Sequence, residues 1–289
     1  MLESKAAQIS ISVDDRINKF PLQSVKTCGK VFTFRDVSEK SKAPIIVLLH
    51  GIGSSSASWI NQFENLAGQY RLIAWDAPGY SGSTALTMSS PNALDYATAL
   101  HTFISAMGVS KCHLVGHSLG AIIAASFVAR SGQFIDGLLL ANPARGYAHK
   151  NETVKQTVLK QRIDTLNTLG VAQMAFERSA KLLSKNATKS DVALVHYSMS
   201  RLNPAGYLQA VKFLVASDLL AEVGSYDGPC EIVCGAEDQI TPPAVAKEIA
   251  LSYPQSHYQE IPEAGHASYI ERPTLFNNAL SAFVSSSSS

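Results

Sequence analysis

Gly116-His117-Ser118-Leu119-Gly120 sets a serine hydroxyl between two glycines, directly after the apolar run His113-Leu-Val-Gly116 and directly before a small, apolar stretch at 121–130. A serine in a G-x-S-x-G sequence at a strand-to-helix turn is placed to act as a nucleophile in acyl transfer. The sharp turn lifts the hydroxyl above the sheet edge, and the flanking glycines keep side chains out of the close strand–helix contact. The helix that follows offers free N–H groups and a positive dipole end where an oxyanion would develop. His50-Gly51-Ile52-Gly53 closes another apolar run and is read as the second source of oxyanion N–H groups, so the expected donors are the amides of Ile52 and Leu119. His50 itself is read as structural.

A serine nucleophile needs a base, and the base needs an orienting acid; with this turn the chain order is serine, acid, histidine. His266, in Glu263-Ala-Gly-His266-Ala, follows the last strand-like run in a glycine-containing loop and is the expected base. The other histidines fit less well. His101 lies in a helical pattern, and His113 and His257 begin strands. His117 is tethered too tightly to reach its neighbour's hydroxyl, and His149 and His196 fall in a helical region. Gly235-Ala-Glu237-Asp238-Gln-Ile-Thr-Pro offers two carboxylates at the end of a late strand; Asp238, one residue deeper in the turn, is the expected acid and Glu237 the reserve.

The elements that must hold these groups alternate along the chain. Short apolar runs at 45–50, 71–75, 113–116, 137–141, 231–234 and, less cleanly, 257–261 end in Gly, Pro or Asp, as parallel strands buried on both faces do. Helical spacing fills 93–107, 121–130, 242–253 (Thr241 as N-cap, Pro242 in the first turn) and 272–284. Residues 8–13 and 30–34 alternate more like antiparallel edge strands. This pattern predicts an α/β fold with a mostly parallel, eight-stranded sheet flanked by helices. Residues 145–224 break the rhythm with helical periods at 153–169, 171–183, 190–202 and 204–216, and read as a helical cap inserted after the sixth strand. The expected division is a core of 1–144 and 225–284, a cap of 145–224 and a disordered serine tail at 285–289.

Composition bounds the function. Of 289 residues, 46% are hydrophobic and 16% charged, enough for a large core. Lys plus Arg total 24 against 23 Asp plus Glu, so there is no basic excess of the kind nucleic-acid binding leaves. No apolar run reaches the roughly 18 residues of a membrane span, and residues 1–15 lack a signal-peptide core. A cytoplasmic protein, monomer or homodimer, acting on a small molecule is expected. The cysteines at 28, 112, 230 and 234 are read as reduced thiols; Cys230 and Cys234 have no second ligand pair beside them, and no metal site is expected.

Taken together, His50-Gly-Ile-Gly53, Trp75-Asp-Ala-Pro-Gly-Tyr-Ser-Gly82, Gly116-His-Ser-Leu-Gly120, Gly235-Ala-Glu-Asp238 and Ala264-Gly-His266 resemble the α/β-hydrolase superfamily over nearly the whole chain. The nearest resemblance is to the branch of 3-oxoadipate enol-lactonases and small-ester hydrolases, with meta-cleavage-product carbon–carbon hydrolases as relatives. The resemblance implies no cofactor, no metal and an acyl-enzyme on Ser118. Serine rather than aspartate at 118 disfavours epoxide hydrolase and dehalogenase chemistry, and His117 stands where meta-cleavage-product hydrolases usually carry asparagine. Residues 202–218 resemble the enol-lactonase cap more loosely.

Trp59, Arg145, Tyr147, Arg162, Arg178, Tyr197, Arg201 and Tyr207 lie in the cap or beside the oxyanion loop; of these, Trp59, Arg145, Tyr197 and Tyr207 are the expected substrate contacts. An inward-pointing arginine would imply a substrate carboxylate. The leading expectation is hydrolysis of a small ester or lactone; the alternatives are carbon–carbon hydrolysis with the same residues and a non-catalytic binding scaffold.

Overall fold

The computed structural model describes residues 12–38, 42–224 and 226–287. Its strands are β1 (Gln23–Thr27), β2 (Lys30–Val37), β3 (Ile45–Leu49), β4 (Arg71–Trp75), β5 (Cys112–His117), β6 (Ile135–Ala141), β7 (Cys230–Gly235) and β8 (Ser256–Ile261). They form one sheet in the order β1-β2-β4-β3-β5-β6-β7-β8. β1 and β2 pair antiparallel, β2 pairs antiparallel with β4, and β3 to β8 run parallel.

Strands β3 to β7 are almost wholly buried, which is why they read as unbroken apolar runs rather than as alternation. β8 is the sheet edge and half-exposed, and its run is correspondingly mixed. From β3 the chain first steps to β4 on one side, then returns to place β5 on the other. The crevice outside the carboxyl ends of β3 and β5 is therefore a topological switch point, where open α/β sheets bind ligands. The loops after these two strands carry Gly51–Ile52 and Ser118.

The helices are α1 (Val13–Asn18), α2 (Ile60–Leu66), α3 (Ala93–Ala106), α4 (Leu119–Ser131), α5 (Glu152–Arg178), α6 (Lys189–Met199), α7 (Pro204–Ala216), α8 (Leu219–Glu222), α9 (Pro243–Ala250), α10 (Ser268–Glu271) and α11 (Pro273–Ser287). Helix α4 is small-sided and buried from Leu119 to Val128, so it packs directly on the sheet. Helix α3 starts on a capping box in which Asn92 and Asp95 satisfy each other's backbone N–H groups. The segment between β6 and β7 folds as α5 to α8, with α5 bent at Gly170 (φ 68°, ψ 173°).

Three local expectations are corrected. Residues 8–11 lie outside the described residues, and Ser12 caps α1 rather than continuing a strand; the edge partner of β2 is β1. Serines 285–287 are helical, not frayed. Phe283 and Val284 are buried against the core, and the serine hydroxyls donate back along α11, Ser285 to Ser281 O at 2.8 Å and Ser287 to Phe283 O at 2.7 Å. Helix α9 begins at Pro243 with Pro242 in the cap position, because Pro243 holds the residue before it extended (Pro242 ψ 153°), and the Thr241 hydroxyl donates to Asp238.

Candidate active site

Ser118 sits between the end of β5 and the start of α4 with φ 53° and ψ −114°, a conformation that costs a non-glycine residue of order 1–3 kcal/mol. The turn survives because the surrounding backbones touch. A Cβ on Gly116 would lie 2.5 Å from Gly120 O, and one on Gly120 would lie 2.6 Å from Leu49 O. Each clash is with backbone, which cannot rotate aside. Gly116→Ala and Gly120→Ala are each expected to cost about 3 kcal/mol, read as a lower denaturation midpoint at unchanged slope; a loss under about 1 kcal/mol would mean that the turn relaxes freely.

His266 bridges the other two groups. Its Nε2 is 3.0 Å from Ser118 Oγ and its Nδ1 is 2.9 Å from Asp238 Oδ2. An ionised carboxylate only accepts, so Nδ1 carries the proton and Nε2 is left to accept from the serine hydroxyl. All three residues are buried. Asp238 Oδ1 accepts the N–H groups of Ile240 (2.8 Å) and Thr241 (3.0 Å), while Oδ2 also accepts from Asn142 Nδ2 and the Thr241 hydroxyl, both at 2.8 Å. Burial works to raise the Asp238 pKa. His266 and these donors outweigh burial and hold it at about 2. Glu237 takes no part: its carboxylate makes no hydrogen bond among the described residues.

The loop after β3 comes against this centre. A Cβ on Gly51 would lie 2.9 Å from the Ser118 Cβ. Neither the Ile52 nor the Leu119 amide donates a hydrogen bond among the described residues, which leaves both free for a ligand oxygen. His50 is structural: Nε2 accepts the Ala77 N–H at 3.0 Å, so Nδ1 carries its proton and donates to Gly51 O at 2.9 Å. His117 makes no hydrogen bond to Ser118 Oγ among the described residues. Its Nε2 donates to His266 O at 2.8 Å, leaving Nδ1 bare and buried without a partner, and burial drives its pKa down to about 3.

A cavity of about 280 Å³ opens onto Ser118, His266 and Ile52, and α5, α6 and α7 supply much of its far wall. Arg145 and Tyr207 line it. Arg145 is already held by Asp218 at 3.1 Å and Glu248 at 2.7 Å. Trp59 and Tyr197 do not line this cavity, correcting the expectation for both. Trp59 is fully buried and stacks on Tyr269 with ring centroids 4.2 Å apart, because the short 3-10 turn at Ser56–Trp59 directs the indole into the core. Tyr197 faces a separate cavity, with the Arg201 guanidinium 3.7 Å above its ring.

Sequence reasoning missed the hydrogen-bonded shell behind Asp238. Asn142, just past β6, is buried with φ 45° and receives the Ser268 hydroxyl at 2.6 Å while donating to Asp238. The only local signal was a polar residue ending an apolar run in Leu-Ala141-Asn-Pro. Also missed was the bolt between the α5–α6 connection and His266, whose N–H donates to Leu182 O at 2.8 Å. Glu271 accepts the N–H groups of Ser184 and Gly265, both at 2.8 Å.

Comparison with known proteins agrees with this architecture. A putative carbamate hydrolase, RutD, of Agrobacterium fabrum is 28% identical over 255 residues, covering 84% of this chain and 94% of that protein. Its counterpart in Escherichia coli is 24% identical over 248 residues, covering 82% and 90%. The enol-lactonase of Burkholderia xenovorans superposes with a TM-score of 0.81 at 20% identity over 91% of this chain and all of that one. A thermophilic esterase of Thermogutta terrifontis superposes with 0.79 at 20% identity, covering 92% and 99%. The family model described as alpha/beta hydrolase fold matches residues 44–273, so the chain belongs to the α/β-hydrolase fold family.

Proposed function

We propose that this α/β-hydrolase cleaves a small carboxylic ester or lactone through an acyl-enzyme on Ser118. The observation that carries the reading is the continuous relay from Ser118 Oγ through His266 to Asp238 at 3.0 and 2.9 Å. Ser118 Oγ attacks the carbonyl carbon while His266 Nε2 takes the hydroxyl proton. The carbonyl oxygen becomes an oxyanion facing the free amides of Ile52 and Leu119, each worth about 3 kcal/mol of transition-state stabilisation. Collapse breaks the C–O bond, and His266 returns the proton to the leaving alkoxide. Water, deprotonated by the same nitrogen, then releases the acid and regenerates Ser118.

Residues 145–224 act in this reading as a cap over a core of 1–144 and 225–284, because α5, α6 and α7 wall the cavity opposite Ser118. A cavity near the lower end of ligand pockets, which run from about 300 to 1,000 Å³, favours a small substrate. The curated relatives named as carbamate hydrolases favour a second reading, attack on a carbamate carbonyl by the same residues.

A p-nitrophenyl phosphonate tests the nucleophile. One covalent adduct per chain is expected, mapping to the peptide that contains Ser118 and blocking turnover of p-nitrophenyl butyrate in proportion. An adduct on another residue, or none, overturns the acyl-enzyme reading. A p-nitrophenyl carbamate in the same assay separates the two substrate classes by kcat/KM.

A further inference from the structure

We infer that Arg162 and Arg178 form an anion site in the cavity and that the substrate carries a carboxylate away from its scissile bond. This deepens, and rests on, the ester reading proposed for Ser118.

Four cationic side chains line the cavity, Arg145, Lys150, Arg162 and Arg178, against one carboxylate, Glu248. Glu248 is taken by Arg145, which also holds Asp218. Among the described residues neither the Arg162 nor the Arg178 side chain has an ion pair or a hydrogen bond. Both are half-buried rather than spread on the surface. Arg178 is near enough to Arg162 for the two charges to oppose each other, and burial together with that repulsion lowers its pKa. Two guanidiniums facing one cavity without a counter-ion are an unsatisfied arrangement, since a buried charge is ordinarily paired. A ligand carboxylate, which a guanidinium binds with two parallel hydrogen bonds, is the group that completes it.

The backbone is bent to bring them together. Both arginines belong to α5, sixteen positions apart, and on a straight helix their Cα atoms would be about 24 Å from each other. Gly170 lies between them with φ 68° and ψ 173°, a combination essentially confined to glycine. It turns the second arm of α5 so that Arg178 faces the same space as Arg162. Tyr207, from α7, also lines this space and interacts with Arg178.

The site is tested with mono-p-nitrophenyl adipate and its methyl ester, which share chain and leaving group and differ in charge. Wild type is expected to favour the carboxylate by at least about tenfold in kcat/KM. In an Arg162→Gln/Arg178→Gln variant that preference is expected to fall to about twofold or less, chiefly through KM. Equal kcat/KM for the two esters in wild type, or an unmoved preference in the variant, overturns the anion site. Calorimetry of adipate with Ser118→Ala protein is a second readout, independent of turnover: binding is expected, and it is expected to vanish with both arginines replaced. Adipate binding without turnover of either ester keeps the anion site and sinks the ester reading; turnover with neither charge preference nor adipate binding keeps the ester reading and sinks the anion site.

Discussion

Asp238→Asn is expected to lower kcat for a p-nitrophenyl ester about ten-thousand-fold, and the double variant with Ser118→Ala to be no slower than Ser118→Ala alone. The reason lies in the proton on His266. Asp238 Oδ2 fixes that proton on Nδ1 at 2.9 Å, which frees Nε2 to receive the Ser118 proton at 3.0 Å. An amide at 238 can present its own N–H to Nδ1, which stabilises the tautomer with the proton on Nε2, where it cannot serve as base. It also removes the charge that stabilises the imidazolium formed in the transition state. In the proposed mechanism serine, histidine and aspartate act as one unit, so their losses are expected not to add. Activity that survives comes from the oxyanion amides and from binding. Glu237→Gln is the control, since Glu237 sits outside this network; its kcat should stay within about threefold of wild type. A large loss in Glu237→Gln with a small loss in Asp238→Asn would move the acid to position 237.

The turn that carries the candidate nucleophile was legible because everything that builds it is local: two glycines, a strand before and a helix after, all within a short stretch of chain. The histidine and the acid needed chain order as well, and the structure brings both to Ser118. What the sequence could not convey is side-chain direction where a residue's neighbours come from elsewhere in the chain. Trp59 lies beside the oxyanion loop in sequence, yet it is turned onto Tyr269, more than two hundred positions away. Tyr197 and Tyr207 lie in the same stretch of helices, yet they face different cavities. Asn142 gave little warning, since its partners Asp238 and Ser268 arrive from β7 and from the chain after His266. Thr241 reads as a helix cap, but Pro243 disfavours helical backbone at the residue before it, so Pro242 stays extended at ψ 153°, the helix starts one residue later, and the Thr241 hydroxyl donates to Asp238. The bend at Gly170 has the same origin. The helical periods on either side were visible, but the direction of the second arm depends on a backbone angle that the pattern does not encode.

His117 leads to the second large effect, on stability rather than rate. Its ring is wholly buried, with Nε2 donating to His266 O at 2.8 Å and Nδ1 unpartnered. Burial, reinforced by the neighbouring His266 and His50, presses its pKa from 6.5 to about 3, while the His266 carbonyl and Asp238 oppose the shift less strongly. A folded-state pKa below the unfolded one means that the unfolded chain binds the extra proton first. The stability held above pH 6.5 is therefore lost progressively as pH falls towards 3. At 1.36 kcal/mol per unit, the drop from pH 7 to pH 4 amounts to about 3 kcal/mol, and it comes before Asp238, held at about 2, begins to protonate. His117→Asn removes the titration while keeping an N–H donor for the His266 carbonyl. Urea unfolding of both proteins across pH 7 to 4 isolates the term, because His50 and the remaining groups are common to the two. Wild type should lose about 3 kcal/mol more than the variant over that interval. Parallel losses would mean that the His117 ring takes up its proton inside the folded protein, and hence that water or another acceptor reaches Nδ1. A ring that stays neutral there keeps a positive charge away from His266, so in the proposed mechanism His266 would accept the serine proton without a cation beside it.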